Sequence, residues 1–136
     1  MNVNECIFFQ LSTCSRTGTH FWDKKVERYG LTGVQALVVN FLGEEDGINF
    51  QLLAERLRLT NPTLTGIVDR LEIAGMVERI PNPSDRRSIL INLTEKGASI
   101  SAELNAQMLT ANQEFLASLS NEEEAMLRGI LQRLIS

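Results

Sequence analysis

Two clusters of side chains in the middle of this chain carry groups that could do chemistry. The first is the run Ser84-Asp85-Arg86-Arg87, which puts two guanidiniums at a turn flanked by Pro81 and Pro83. The second is the stretch from Asn61 to Arg70, where Asn61, Pro62, Thr63, Thr65 and Arg70 are spaced along one candidate helix. A guanidinium pairs with phosphate and inserts into a narrow, electronegative minor groove. A threonine hydroxyl bonds base edges, and its methyl touches the methyl of thymine. Asp85 lies two residues before Arg87 and is placed to pair with it and fix its direction. The chemistry is recognition of nucleic acid without any covalent step. The plain alternative is a solvated helix face followed by a solvated charged turn.

The elements around these residues decide whether they work together. Leu64, Ile67, Val68 and Leu71 follow the i, i+3, i+4, i+7 spacing of one buried helical stripe. Burying that stripe turns Thr63, Thr65, Gly66, Asp69 and Arg70 outward. Asn61 reads as the N-cap, Pro62 as the first helical residue and Gly75 as the stop. A short helix near Phe50 to Leu57, burying Leu52, Leu53 and Leu57, precedes it across a turn at Arg58-Leu59-Thr60. Short helix, tight turn and longer helix is the helix-turn-helix outline. Val77 to Ile80 and Ser88 to Leu93 read as strands, with Ile89, Ile91 and Leu93 facing inward. A helix followed by an arginine-tipped hairpin has the shape of a winged-helix DNA reader, the helix in a major groove and the loop in an adjacent minor groove.

Helices are also predicted on both sides. The first runs from about Asn4 to Tyr29 with Gly30 as its stop, and Gly18 with its flanking threonines weakens the middle, where a kink or break can form. Its early apolar face uses Cys6, Ile7, Phe9 and Cys14. Thr32 and Gln35 form a capping box for a second helix ending at Gly43, with Leu37, Val38, Phe41 and Leu42 as core candidates. Thr94 caps a long helix to about Ser118. Ser120 and Glu123 cap a last one, with Leu127, Ile130, Leu131 and Leu134 on one side. The fold class is mainly α with a small β-hairpin wing.

Composition narrows the function. The net charge of −4 argues weakly against a nucleic-acid partner, but residues 55–98 hold 7 basic and 6 acidic side chains and form the one net-positive segment. Phosphate binding depends on that local density. The single histidine, His20, and the lack of a Gly-rich phosphate loop, a Cys-x-x-Cys pair or a His-Glu-x-x-His motif leave no catalytic residues to name, no metal site and no cofactor. No apolar run approaches the ~20 residues that span a bilayer, and no signal peptide is visible, so a cytoplasmic location is expected, without a membrane partner.

Four stretches give the chain a resemblance to the MarR (multiple antibiotic resistance regulator) family of bacterial transcription factors: Leu53-Ala54-Glu55-Arg56-Leu57, Leu71 to Val77, Asn82 to Arg87, and Leu93-Thr94-Glu95-Lys96-Gly97. By this resemblance Asp85 and Arg87 match the family's wing Asp-x-Arg, and Asn61 to Thr65 match the start of its recognition helix. Some members have an arginine where this chain has Gly66, which leaves base reading to Thr63, Thr65 and Arg70. The resemblance implies one domain over 1–136: a winged helix-turn-helix lobe at 31–98 flanked by dimerisation helices at 1–30 and 99–136. The apolar side chains of those helices independently exceed what one small lobe can cover.

The family's effectors, such as phenolic compounds, often bind between the dimer helices and the DNA-binding lobe. This makes His20, Phe21 and Trp22 candidates for holding a small aromatic effector, with aromatic packing as the plain alternative. Cys6 and Cys14 are eight positions apart, ~12 Å along one helix, beyond the roughly 7 Å that a disulfide allows. They read as buried thiols. The family's peroxide-sensing branch places a reactive cysteine here, but it also uses tyrosines on the second helix, and Leu31 to Ala36 contains none.

The resulting expectation is a sequence-specific, homodimeric transcriptional regulator on a pseudo-palindromic operator in double-stranded DNA, and a ligand-responsive repressor in the manner most common in the family. The alternatives are a thiol-based redox-sensing regulator of the same fold and a winged-helix module that binds protein.

Overall fold

Local capping chemistry sets most of the element boundaries. The computed structural model describes residues 1–136. After a 3₁₀ turn at Val3–Glu5, α1 spans Ile7–Val26, and a second 3₁₀ turn leads to Gly30 at φ 71°. The helix runs without a break through Gly18. A Cβ at Gly18 would lie 3.6 Å from the Phe115 ring, so packing against a later helix supports the backbone there. Helix α2 spans Gly33–Glu44, one residue beyond Gly43. Its capping box is complete: Gln35 N donates to Thr32 Oγ1, and Thr32 N donates to Gln35 Oε1.

A two-residue strand, β1 (Ile48–Asn49), leads directly into α3 (Phe50–Leu57), which Asn49 caps. Helix α4 spans Asn61–Ile73. Its N-cap is Thr60, not Asn61. Thr60 has the extended backbone of a cap residue, and its hydroxyl accepts from Thr63 N at 3.3 Å. Asn61 is therefore the first helical residue and Pro62 the second, still within the turn whose N–H groups have no helical partner. Leu64, Ile67, Val68 and Leu71 are all buried, as their spacing predicts.

Strands β2 (Val77–Pro81) and β3 (Ile89–Leu93) pair antiparallel, with Val77 opposite Leu93, Arg79 opposite Ile91 and Pro81 opposite Ile89. Strand β1 adds to the other edge of β3, so the expected hairpin is part of a three-stranded sheet of order β1-β3-β2. Helix α5 (Glu95–Phe115) follows a cap at Thr94, and α6 (Asn121–Ile135) follows the complete Ser120–Glu123 capping box. Helix α5 ends three residues short of Ser118, in a turn.

One core joins the lobe to the long helices, with Val26, Val38, Leu42, Leu53, Leu64, Ile91 and Leu104 fully buried. Three expected core residues are exposed in the single chain: Leu37 at 42%, Leu52 at 39% and Ile89 at 44%. Ile89 sits opposite Pro81, next to the wing loop and past the edge of the core. The early face of α1 is also uncovered, with Ile7 at 52% and Phe9 at 40%, and α6 contains no buried residue at all. No helix is long and apolar enough to cross a membrane.

A knot of hydrogen bonds ties the end of α4, the sheet and the start of α5 together. Thr94 N donates to Met76 O, Thr94 Oγ1 donates to Gly75 O, and Lys96 Nζ donates to Ala74 O, at 3.0, 2.6 and 2.9 Å. Gly97, in the first turn of α5, lies directly against the Met76 carbonyl.

Candidate nucleic-acid interface

Burying the leucine stripe of α4 leaves Asn61, Pro62, Thr63, Thr65 and Arg70 exposed, as expected. The hydroxyls are not all free. Thr63 Oγ1 accepts from Thr60 Oγ1 at 2.9 Å and keeps its own proton for a partner. Thr65 Oγ1 donates to Asn61 O at 2.8 Å, so it offers a lone pair and a methyl outward.

The wing is held by short-range hydrogen bonds. Asn82 Nδ2 donates to Ser88 Oγ at 2.9 Å, and Ser84 N donates to Asn82 Oδ1 at 2.9 Å, closing the loop from both sides. Asp85 does not pair with the Arg87 guanidinium. Its Oδ1 accepts from the Arg87 backbone N–H at 2.9 Å, which makes an Asx turn at the tip. The carboxylate sets the loop backbone, and the guanidinium stays available. None of the five ion pairs in the chain involves Arg70, Arg86 or Arg87, and all three side chains are exposed.

Two acidic groups of α4 are engaged. Arg79 on β2 donates to Asp69 at 2.5 Å and to Glu72 at 2.6 Å, bridging strand to helix. Sequence reasoning missed Arg79, although a signal was present. In a strand, Arg79 shares a face with Val77, which is buried, and it opposes Ile91, which is also buried. A cation on the inward face has to find carboxylates.

The three effector candidates separate. Phe21 and Trp22 line an apolar cleft of about 410 Å³ between α1, α2, α5 and α6, together with Leu37, Met108 and Leu127. His20 is exposed and lies outside it. Trp22 also has a structural duty, since Nε1 donates to Gly33 O at 2.9 Å while Asp23 accepts from Gly33 N, fixing the start of α2 on α1. Phe21 packs on Phe115 with ring centres 5.4 Å apart, and Lys25 Nζ lies 5.4 Å from the centre of the Phe21 ring. The cysteines are not the buried thiols expected. Cys14 is exposed and lines the cleft, and Cys6 is half-buried, because nothing within one chain covers the outer face of α1.

Comparison with known proteins agrees with this geometry. The MarR family model matches residues 31–89, from the start of α2 to the far side of the wing. The homoprotocatechuate degradative operon repressor of Escherichia coli is 32% identical over 82% of this chain and 75% of its own length. The HTH-type transcriptional regulator MgrA of Staphylococcus aureus is 30% identical over 98% of this chain and 90% of its own. Among solved structures, PcaV from Streptomyces coelicolor in complex with its natural ligand has a TM-score of 0.91 at 25% identity, covering 99% of this chain and 95% of that one. A mutant MarR from Escherichia coli complexed with operator DNA has a TM-score of 0.87 at 26% identity, covering 93% and 91%.

Proposed function

Because this chain belongs to the MarR family, we propose that it is a homodimeric transcriptional repressor that reads a pseudo-palindromic DNA operator in the cytoplasm. Helix α4 enters the major groove with Asn61, Pro62, Thr63, Thr65 and Arg70, and the wing, shaped by Asp85, reaches the minor groove with Arg86 and Arg87. The observation that carries this reading is the charge arrangement. Arg70, Arg86 and Arg87 stand outside every ion pair on a protein of net charge −4, while Asp69 and Glu72 of α4 are tied to Arg79. Unpaired, exposed guanidiniums on a rigid scaffold suit phosphate and minor-groove targets. No catalytic role is assigned.

The two surfaces divide the work. Arg86→Ala is expected to weaken binding to every duplex and to flatten the dependence on log salt by about one unit. Thr65→Ala is expected to cost ~1–3 kcal/mol at one base-pair position and to leave non-specific binding nearly unchanged. Salt titrations on a duplex selected from random sequence and on a scrambled duplex measure both effects. If Arg86→Ala alters neither affinity nor slope, the wing does not touch DNA. A protein-binding winged helix would keep its partner after Arg86 and Arg87 are both removed.

A small aromatic effector is proposed for the cleft lined by Phe21 and Trp22, with His20 outside it. The support is the apolar lining and its place between the long helices and the lobe. A redox trigger is not favoured, because α2 carries no tyrosine to stabilise a thiolate at Cys6. Cys6→Ser should leave DNA release under organic peroxide unchanged. Release by the parent protein but not by Cys6→Ser would establish the redox reading instead.

A further inference from the structure

We propose that Arg79 is a positioning residue for DNA reading, which it serves by masking the two carboxylates of the recognition helix. The proposal rests on the reading above, that α4 faces DNA. Asp69 and Glu72 lie on the same strip of α4 as Thr65, at i+4 and i+7 from it. Their side chains are 56% and 45% exposed, so both carboxylates sit at the surface beside the groups assigned to base contact. Two bare negative charges there would face the phosphates of a docked duplex well inside the ~8 Å screening length of physiological salt.

Arg79 comes from below this strip. Its side chain is only 25% exposed, and it leaves the sheet on the face that Val77 and Ile91 bury. One guanidinium arm meets each carboxylate, Nη2 to Asp69 and Nη1 to Glu72. The planar fork suits this double pairing, which a point charge reproduces poorly. The same side chain also spans from β2 to α4. These elements are consecutive in the chain, connected through the short Ala74-Gly75-Met76 turn, where Gly75 takes φ 74°.

Charge masking and simple bracing make different predictions. Arg79→Gln should weaken binding to the selected duplex ten- to a hundredfold at low salt, and the loss should shrink as salt rises. In that background, Asp69→Asn with Glu72→Gln should restore affinity to within about threefold of the parent. A bracing role would leave the triple variant as weak as Arg79→Gln, and that result would overturn the proposal. A second test keeps Arg79 in place, and equal thermal unfolding of variant and parent controls for folding. Asp69→Asn with Glu72→Gln alone should bind at least as tightly as the parent and show a steeper salt dependence. Weaker binding by this variant would also overturn the proposal. A parent protein that binds no duplex removes the DNA reading itself, whereas normal binding by Arg79→Gln removes only the role of Arg79.

Discussion

Ile130→Asp combined with Leu134→Asp should abolish the dimer and with it all operator binding. The two side chains are one turn apart on α6, 38% and 64% exposed, and outside the cleft that α6 helps to line within its own chain. Ile7, Phe8 and Phe9 on α1 are uncovered as well, Phe8 at 77%. Apolar exposure on this scale marks an interface. Each large aliphatic side chain contributes roughly 1.5–3 kcal/mol on burial, and two-fold symmetry counts every substitution twice. With about half of each side chain left to bury, the pair of changes removes about 3–6 kcal/mol, and the new carboxylates add a desolvation cost, enough to take a nanomolar dimer to the micromolar range. Sedimentation at micromolar concentration should show the parent at twice 15.2 kDa and the variant without that species. A compact, stable 15.2 kDa parent would refute the dimer.

Gly97→Ala should be the most destabilising single-methyl change in the chain. The new Cβ would fall far inside van der Waals contact of the Met76 carbonyl oxygen, 2.9 Å from the Met76 carbonyl carbon and 3.1 Å from Leu93 Cδ2. The obstacle is backbone, and that carbonyl already accepts from Thr94 N. Relieving the clash means breaking the hydrogen bond or displacing the first turn of α5. Overpacking of this kind costs about 3 kcal/mol, or roughly 10 °C in Tm for a chain of this size. Gly66→Ala is the internal control. Nothing lies within 4 Å of its added Cβ, and in mid-helix the change should stabilise by ~0.5–1 kcal/mol. Thermal unfolding of both at equal concentration tests the pair. Matching Tm values for Gly97→Ala and the parent would show that the turn yields freely.

The sequence was legible where one residue type has one local job. Thr32 with Gln35 and Ser120 with Glu123 marked helix starts, and the Leu64 to Leu71 stripe marked a buried face. It was ambiguous where two neighbours can do the same job. Thr60 and Asn61 are both good caps, Pro62 is tolerated after either, and only the extended backbone at Thr60 decides. Strand β1 was invisible because two residues cannot display an alternation. Leu37 and Leu52 followed helical period, but period identifies a face and not what covers it. On the wing, residue types singled out Arg86 and Arg87, which the structure leaves exposed and outside every ion pair, whereas the duty of Asp85 was misread. A carboxylate two residues before an arginine can serve its side chain or its backbone, and turn geometry chose the backbone.

The knot at Gly75, Met76 and Thr94 makes α5 a lever with a stiff joint. With 21 residues, the helix is ~30 Å long at ~1.5 Å rise per residue. A tilt of about 5° at its far end therefore moves the joined end by roughly 3 Å, close to the ~3.4 Å step between stacked bases. Three hydrogen bonds cross the joint, so the end of α4 is tied to that movement. Small angular work applied at the scaffold end is thus geared up into a whole-step displacement at the reading end, which is the gain needed to lose register on a ruler as finely graduated as DNA.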